Sequence, residues 1–264
     1  MTRAVDLVVC AYGTSPWLRR CLETLAPQVG EGVALVVATS TPSAHIESAA
    51  RDFGARYLVN PRREGIAADW TFAYRSAQSP LVTLCHQDDE YAPDYARSMA
   101  RLFDAAPDVL FAACDHTETT EEGARALSPV LRVKRMLIRR AFAGAPVRRG
   151  PAIRRRLLSW GNPVSCPGVM LHKALAPDFE FDAAFSSNMD WDAWDRLAAR
   201  DGAVAYVDRP LVAHRVHPAS ATSALIADST RPAEDLAMLR RYWPRPLAAL
   251  IFQFYKQAYR SNAS

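Results

Sequence analysis

The sequence lacks the features of a membrane-spanning or secreted protein. No apolar run approaches the ~20 residues that cross a bilayer, and Met1–Asp6 contains no basic region leading into a long apolar stretch. Cysteine is scarce: the five residues are odd in number, widely spaced and mostly inside apolar runs, which argues against a disulfide or zinc framework. We therefore expect a cytoplasmic protein with reduced, buried thiols at Cys10, Cys21, Cys85, Cys114 and Cys166.

Acidic residues are absent from one long segment. Between Arg132 and Arg156 the chain has ten Lys or Arg residues and no Asp or Glu, although the net charge of the whole chain is only +4. The rest of the chain is net acidic, which disfavours a uniformly basic nucleic-acid binder. With Leu137 and Ile138 on an apolar side, the segment could be a helix whose basic face meets a phosphate-bearing substrate or an anionic membrane, or a solvated surface helix.

The apolar content is sufficient for one substantial core. Of the 264 residues, 50% are hydrophobic and 23% are charged, which excludes a disordered chain and a coiled coil. The length is near the upper limit for a single core, and neither an internal repeat nor a low-complexity linker divides the chain. We therefore expect a single domain over residues 1–264.

Short apolar runs alternate with helical periodicity over the first 114 residues. The runs predict strands at Val5–Cys10, Val33–Ala38, Arg56–Val59, Leu81–Cys85 and Val109–Cys114. The intervening helices should begin near Ser15, Ser43, Gly65 and Pro93. This order predicts an α/β fold with a mostly parallel central sheet and helices on both faces.

The regular alternation ends after Asp115. The later segments predict, in order, an extended piece at Asn162–His172, a helix near Asp190–Arg200, strands at Val204–Val207 and Leu211–His217, and helices at about Pro232–Tyr242 and Pro246–Arg260. Ligands of such sheets bind beyond the carboxyl ends of the strands. Four segments should therefore converge on one crevice: Ala11–Thr14, Thr39–Ser43, Asn60–Gly65 and His86–Tyr91.

Three polar clusters are candidates for chemistry. Asp88 and Asp89 follow a predicted strand, and adjacent carboxylates there favour a hard metal ion, or simply a solvated loop. Asp190 begins a predicted helix, as a general base or as an ordinary cap. His214 and His217 end a predicted strand, where a regular backbone would direct them to opposite sides, so they should not chelate one metal together.

Seven segments together resemble the inverting family 2 glycosyltransferases of the GT-A fold. The resemblance covers about Val5 to Thr222, and its most specific parts are the double aspartate, the DWD helix start and a late His-Pro-x-Ser pattern. The segments are VDLVVCAYGTSPWLRRCLETL, VALVVATSTPS, NPRREGIAADWTFAYRSA, LVTLCHQDDEY, NPVSCPGVMLHK, NMDWDAWDRLA and PLVAHRVHPASAT.

The resemblance implies a division of labour along the chain. Residues 1–115 would bind a nucleotide-diphosphate sugar, residues 116–222 would form a variable acceptor and catalytic half, and residues 223–264 would add C-terminal helices. The residues implied in donor binding are Ala11, Tyr12, Gly13, Thr39, Ser40, Arg63, Gly65, Asp69, His86 and Asp88. Thr39 and Ser40 stand where many members carry an acidic residue, and His86 replaces the first aspartate of the Asp-x-Asp motif and would then contact ribose rather than metal.

The resemblance also implies the reaction. Mn²⁺ or Mg²⁺ on Asp88 and Asp89, with His217 completing the shell, would neutralise the leaving diphosphate. Asp190 would take the proton of the attacking hydroxyl, and a one-step displacement with a single base inverts the anomeric centre.

The acceptor side is less defined by the sequence. Pro167 and Gly168 permit a close approach of backbone to the sugar or acceptor, or form a simple turn, and Trp191 could stack on a sugar ring. The acceptor could be a polysaccharide, a lipid-linked intermediate, a small molecule or a protein side chain. Residues 132–156 could close over the donor, or dock at the inner face of a membrane.

Two alternatives belong to other classes of function. A catalytically silent sugar-nucleotide-binding scaffold would explain the missing aspartates at Ser40 and His86. A metal-dependent nucleotidyltransferase or hydrolase would share the sheet, but the sugar-nucleotide class carries a Gly-rich loop with Lys or Arg after the first strand. Here Ala11–Pro16 holds only Gly13, which favours the transferase.

Overall fold

A mixed sheet forms the centre of the molecule. The computed structural model describes residues 3–217 and 230–255, and its strands are β1 (Val5–Ala11), β2 (Val33–Thr39), β3 (Arg56–Val59), β4 (Leu81–His86), β5 (Glu90–Tyr91), β6 (Val109–Thr120), β7 (Gly123–Ala124), β8 (Val147–Arg149), β9 (Val169–His172) and β10 (Ala203–Arg215). Their order is β3-β2-β1-β4-β9-β6-β10-β5, with β7 beside β6 and β8 beside β10.

The predicted parallel sheet is confirmed. β3, β2, β1 and β4 pair in parallel, and β6 pairs in parallel with β10. β9 lies antiparallel between β4 and β6, so all six of these strands run in the same direction. The strands of opposite direction, β5, β7, β8 and β9, have at most four residues.

Helices cover both faces of the sheet, as predicted. One face packs against α1 (Leu18–Leu25), α2 (Ala44–Asp52) and α4 (Tyr95–Ala105). The other packs against α3 (Ile66–Ser76), α5 (Pro129–Phe142), α6 (Ala152–Leu158), α7 (Met189–Ala198), α8 (Thr230–Arg240) and α9 (Arg245–Tyr255). Leu7 and Val9 face the first core and Val8 the second, because successive strand residues point to opposite faces.

Two strand predictions were wrong in extent. The strand predicted over Val109–Cys114 continues to Thr120 because it pairs with β10 along its length. The two strands predicted at Val204–Val207 and Leu211–His217 are one strand, Ala203–Arg215. Pro210 interrupts its ladder with irregular register but does not end it.

The basic segment 132–156 is not one helix. It comprises most of α5, then β8, then most of α6, because Ala143 adopts a left-handed conformation that ends α5. All five cysteines are free, three of them buried and Cys10 and Cys166 partly so. Residues 256–260, which the sequence assigns to the last helix, lie outside the described residues. Within the described ranges, no helix combines the length and apolar character needed to cross a bilayer.

Candidate active site

A cavity of about 2460 Å³ opens beyond the carboxyl ends of the parallel strands. All four segments that the sequence predicts to converge contribute residues to its wall, after β1, β2, β3 and β4. The lining from these segments and from α3 is called the donor wall. The acceptor wall comes from residues 159–167 and 186–190 and from helices α5, α6, α8 and α9, and residues 214–217 also line the cavity. The two halves of the chain therefore enclose one site.

The end of β1 is held against the end of β4. Tyr12 donates its backbone N–H to Gln87 Oε1 (3.0 Å), and Gln87 Nε2 donates to the Tyr12 carbonyl (3.1 Å). Gly13, at φ +62°, donates its N–H to Thr41 Oγ1 (2.8 Å). Ala11, Tyr12 and Gly13 all line the cavity, and the Tyr12 side chain is 64% exposed.

A carboxylate from α3 reaches the end of β2. Asp69 Oδ2 accepts from the Ser40 hydroxyl (2.7 Å), and Asp69 Oδ1 accepts from Asn60 Nδ2 (2.8 Å). Arg63 Nε donates to the Ser40 carbonyl (2.8 Å). Asp69 therefore supplies an acidic group beside Ser40, where the resemblance leads one to expect an acidic side chain. These four residues, with Thr39 and Gly65, line the cavity.

His86, Asp88 and Asp89 form an acidic cluster at the end of β4. One possible ligand atom from each lies within 4.8 Å of the other two. His86 and Asp88 line the cavity, whereas Asp89 is fully buried behind them. The His86 ring packs on Trp70, with ring centroids 5.0 Å apart.

Two histidines from the end of β10 contact the acidic pair. His214 Nδ1 lies 3.0 Å from Asp89 Oδ1, and His217 Nε2 lies 2.9 Å from Asp88 Oδ2. The prediction from a regular strand does not apply to this pair, because β10 ends at Arg215, before His217. His217 therefore lies beside the cluster.

The cluster fits a hard divalent cation. Asp89 Oδ2 and His86 Nε2 are buried and lack hydrogen-bond partners among the described residues, a costly state unless a ligand satisfies them. Burial opposes ionisation of Asp88, but the His217 hydrogen bond and the nearby His86 and His214 hold its pKa below the ordinary value. Carboxylate oxygens are ligands that Mg²⁺ and Mn²⁺ prefer.

Asp190 is the second residue of α7 and lines the cavity. Its Oδ2 accepts from Asn162 Nδ2 (2.9 Å), and its Oδ1 accepts from the Trp191 backbone N–H (2.7 Å). Asn188 takes the capping position instead, so Asp190 is not the ordinary cap. Burial raises its pKa, and the positive charges of Arg231 and Lys134 oppose that shift.

The loop before Asp190 is held from α8. Glu234 Oε1 accepts the N–H of Ser186 (2.7 Å), and its Oε2 accepts the N–H groups of Ser187 and Asn188 (2.8 Å each). The Asn188 side chain donates to Asp235 Oδ1 (2.7 Å). One carboxylate thus fixes three successive backbone groups directly before α7.

Two predicted acceptor contacts are corrected by the structure. Trp191 is fully buried and does not line the cavity, because its face of α7 packs on the sheet. Gly168 also lies away from the cavity, and a Cβ there would meet Cys114 Sγ at 3.0 Å, so the close approach is to β6. Pro167 does line the cavity.

Sequence reasoning missed several residues of the site. Gln87 lies within a predicted motif, but its bonds to Tyr12 depend on the neighbouring strand. Lys134 is one of ten basic residues in its segment, and only the fold brings it into the cavity. Glu234 had no signal in the sequence, because its partners are 46 to 48 residues away.

A family model and a relative that match this sequence are both described as glycosyltransferases. The family model described as Glycosyl transferase family 2 matches residues 6–161, more than half of the chain. The "Putative glycosyltransferase EpsH" of Bacillus subtilis (strain 168) is 25% identical over 126 residues, which are 46% of this chain and 36% of that protein. The aligned part therefore spans about a third of that relative.

Solved structures share the fold at low identity. The mannosyltransferase PcManGT from Pyrobaculum calidifontis, in complex with GDP-Man and Mn²⁺, has a TM-score of 0.66 and 16% identity, covering 95% of this chain and 68% of that one. TarS 1–349 of S. aureus has a TM-score of 0.60 and 13% identity, covering 94% and 69%. The glucosyl-3-phosphoglycerate synthase of Mycobacterium tuberculosis, in complex with Mn²⁺, uridine-diphosphate and glucosyl-3-phosphoglycerate, has a TM-score of 0.60 and 17% identity. The match covers 91% of this chain and 80% of that one. The chain has the predicted GT-A fold and belongs to glycosyl transferase family 2.

Proposed function

We propose that this chain is an inverting glycosyltransferase that moves a sugar from a nucleotide-diphosphate sugar to an acceptor hydroxyl. One observation carries the proposal: Asp88 from the first half of the chain and Asp190 from the second line the same cavity. A charge-binding group and a candidate base in one cavity are what this displacement requires.

The first half would bind the donor. Residues 1–115 contribute Tyr12, Gly13 and the Ser40–Asp69 pair to the cavity wall, and Asp69 can accept N–H or hydroxyl groups of the nucleoside. Asp88 and Asp89, with His217 beside them, would hold a divalent cation, as the unpartnered Asp89 oxygen supports. When bound, Mn²⁺ or Mg²⁺ would neutralise the charge of the leaving diphosphate.

The second half would supply the base. Residues 116–222 include Asp190, and each of its oxygens accepts one hydrogen bond and keeps a further lone pair. The acceptor oxygen attacks the anomeric carbon, and the hydroxyl proton passes to Asp190. The bond from that carbon to the phosphate oxygen breaks, and its electron pair stays on the leaving diphosphate. The raised pKa of Asp190 suits it to accept that proton.

The setting of the reaction is part of the same proposal. The described parts of residues 223–264 close the acceptor wall through α8 and α9. Five free thiols support a cytoplasmic location, and the basic residues of 132–156 could contact the inner face of a membrane. Against the silent-scaffold alternative, the Asp69 carboxylate lies beside Ser40 and would take the role of the acidic residue missing there.

A donor panel tests the proposal. Nucleotide-diphosphate sugars are added to the protein with Mn²⁺, and thermal stabilisation and slow donor hydrolysis are measured. We expect a metal-dependent signal for one donor, lost in Asp88→Asn and retained in Asp104→Asn, a matched change at an exposed residue outside the cavity. If a donor stabilises the protein but is never hydrolysed, the silent scaffold is favoured. If no donor binds with or without metal, the transferase proposal is wrong.

A further inference from the structure

The acceptor wall of the cavity contains an exposed apolar groove. On α5, Val133, Met136 and Leu137 line the cavity, and on α9 the residues Leu247, Leu250, Ile251 and Phe254 line it. Their spacing of three and four residues places each set on one face of its helix. Met136 is 58% exposed, Leu250 55% and Phe254 68%, which is an unusual use of large apolar side chains on a protein surface.

The groove is continuous with the candidate reaction centre. The same cavity contains Asp190, so a molecule in the groove can present a hydroxyl to that carboxylate. Trp160 and Trp243 both line the cavity and add aromatic surface to it. Their rings pack together, with centroids 4.9 Å apart. The volume of about 2460 Å³ exceeds the range of about 300 to 1,000 Å³ that small-molecule pockets usually have. There is room for more than a donor.

The charges on this wall are mostly positive. The basic residues that line it are Lys134, Arg140, Arg155, Arg156 and Arg231, against the acids Glu118 and Asp190. Arg140 and Arg156 are exposed, and neither forms an ion pair with a described residue. Guanidinium groups beside an apolar surface complement a phosphate joined to an apolar chain.

We propose that this groove binds a lipid-linked acceptor, in which a long apolar chain is joined through a phosphate to the group that is glycosylated. The inference rests on the proposed function, and it deepens that function by naming the class of acceptor. The apolar chain of the acceptor lies between α5 and α9, its phosphate contacts the basic residues, and its hydroxyl reaches Asp190.

The test uses a soluble stand-in, dodecyl phosphate below its micelle concentration, with the full chain and no donor or metal. Binding is measured by calorimetry and by the tryptophan fluorescence of the groove. We expect dodecyl phosphate to bind at least about tenfold more tightly than inorganic phosphate, because the groove buries the alkyl chain.

Groove variants make the test specific. Leu250→Glu and Phe254→Glu should each weaken dodecyl phosphate binding by about tenfold, since both side chains are exposed and their loss leaves the core intact. Val29→Glu is the matched control, at a residue that is 44% exposed and outside the cavity. The thermal stabilisation by nucleotide sugar and Mn²⁺ should be unchanged in all three variants, which separates a failure of this inference from a failure of the proposed function.

Four results would overturn the inference. Dodecyl phosphate could bind no more tightly than inorganic phosphate, or equally well to the groove variants. Vesicles of phosphatidylglycerol could bind where monomeric dodecyl phosphate does not, which would assign the surface to a bilayer. A dimer that is lost in Leu250→Glu would assign the groove to a second copy of the chain.

Discussion

The two walls of the cavity are built in different ways. On the donor wall, neighbouring strand ends and loops hold one another, as with Tyr12 by Gln87 and Gly13 by Thr41. On the acceptor wall, Asp190 is held by Asn162, and the loop before it is held by Glu234 of α8. The donor wall follows from the order of the parallel strands, whereas the acceptor wall depends on where separate helices pack.

Because the two walls are held differently, substitutions on them should affect different steps of the proposed reaction. Changes at Tyr12, Gly13 or Asp69 should alter donor affinity, because these residues are held by partners within the first half of the chain. Changes on the acceptor wall should alter turnover, because they move or remove Asp190. Substitutions on each wall test whether donor affinity and turnover change separately.

The largest effect is expected at Asp190 itself. Asp190→Asn keeps the hydrogen bond that the carboxylate accepts from Asn162 or from the Trp191 N–H, but cannot accept the hydroxyl proton. We expect kcat to fall by about 10² to 10⁴ with donor binding retained. Asp104→Asn should have wild-type rates. Full activity in Asp190→Asn would exclude Asp190 as the base.

Glu234 should have the next largest effect, although it does not line the cavity. Glu234→Gln replaces an oxygen that accepts backbone N–H groups with an NH₂ group, so at least one of Ser186, Ser187 and Asn188 loses its acceptor. The loop before Asp190 should loosen and kcat should fall, on the order of tenfold, with the KM for donor unchanged.

The matched control for Glu234→Gln is Glu122→Gln, the same change at an exposed turn residue. If Glu234→Gln raised the KM for donor as much as it lowered kcat, the two walls would be coupled and the proposed separation would be wrong.

The sequence predicts the donor wall well for a physical reason. Strands recognised from apolar runs must align in a parallel sheet, so the residues after β1, β2 and β4 meet whatever their side chains are. The contact between Ser40 and Asp69 was not predicted, because it needs the rotation of α3 relative to β2. Helical periodicity gives the faces of a helix, but not the depth at which each face lies.

The acceptor wall shows where such reasoning fails. Periodicity groups Trp191 and Trp194 on one face of α7, but the face packs on the sheet, so the aromatic rings stabilise the core. The sequence predicts that Gly168 approaches a ligand, and it approaches β6 instead. Both errors arise because close packing and ligand contact require the same residue types, and only the tertiary fold distinguishes them.

On the donor wall, the Asp69 carboxylate is the residue to change. In Asp69→Asn the new amide can still accept from Asn60 while its NH₂ donates to the Ser40 hydroxyl, so the substitution removes charge with little change of shape. We expect the KM for donor to rise about fivefold with kcat nearly unchanged. Ser40→Ala should have a smaller effect, since Asn60 still orients Asp69. A fall in kcat alone would contradict a role of Asp69 in donor binding.

The smallest predicted effect is a shift of the pH profile. Activity needs ionised Asp190, so it should be lost as the pH falls through the raised pKa of that carboxyl group. Arg231, Lys134 and His86 face Asp190 and each favours its charged form. Lys134→Gln removes one positive charge, so the acid limb of the kcat profile should move to higher pH, whereas Lys134→Arg should leave it in place. A limb that moved equally in both variants would mean that Lys134 acts on Asp190 through its shape and packing rather than through its charge.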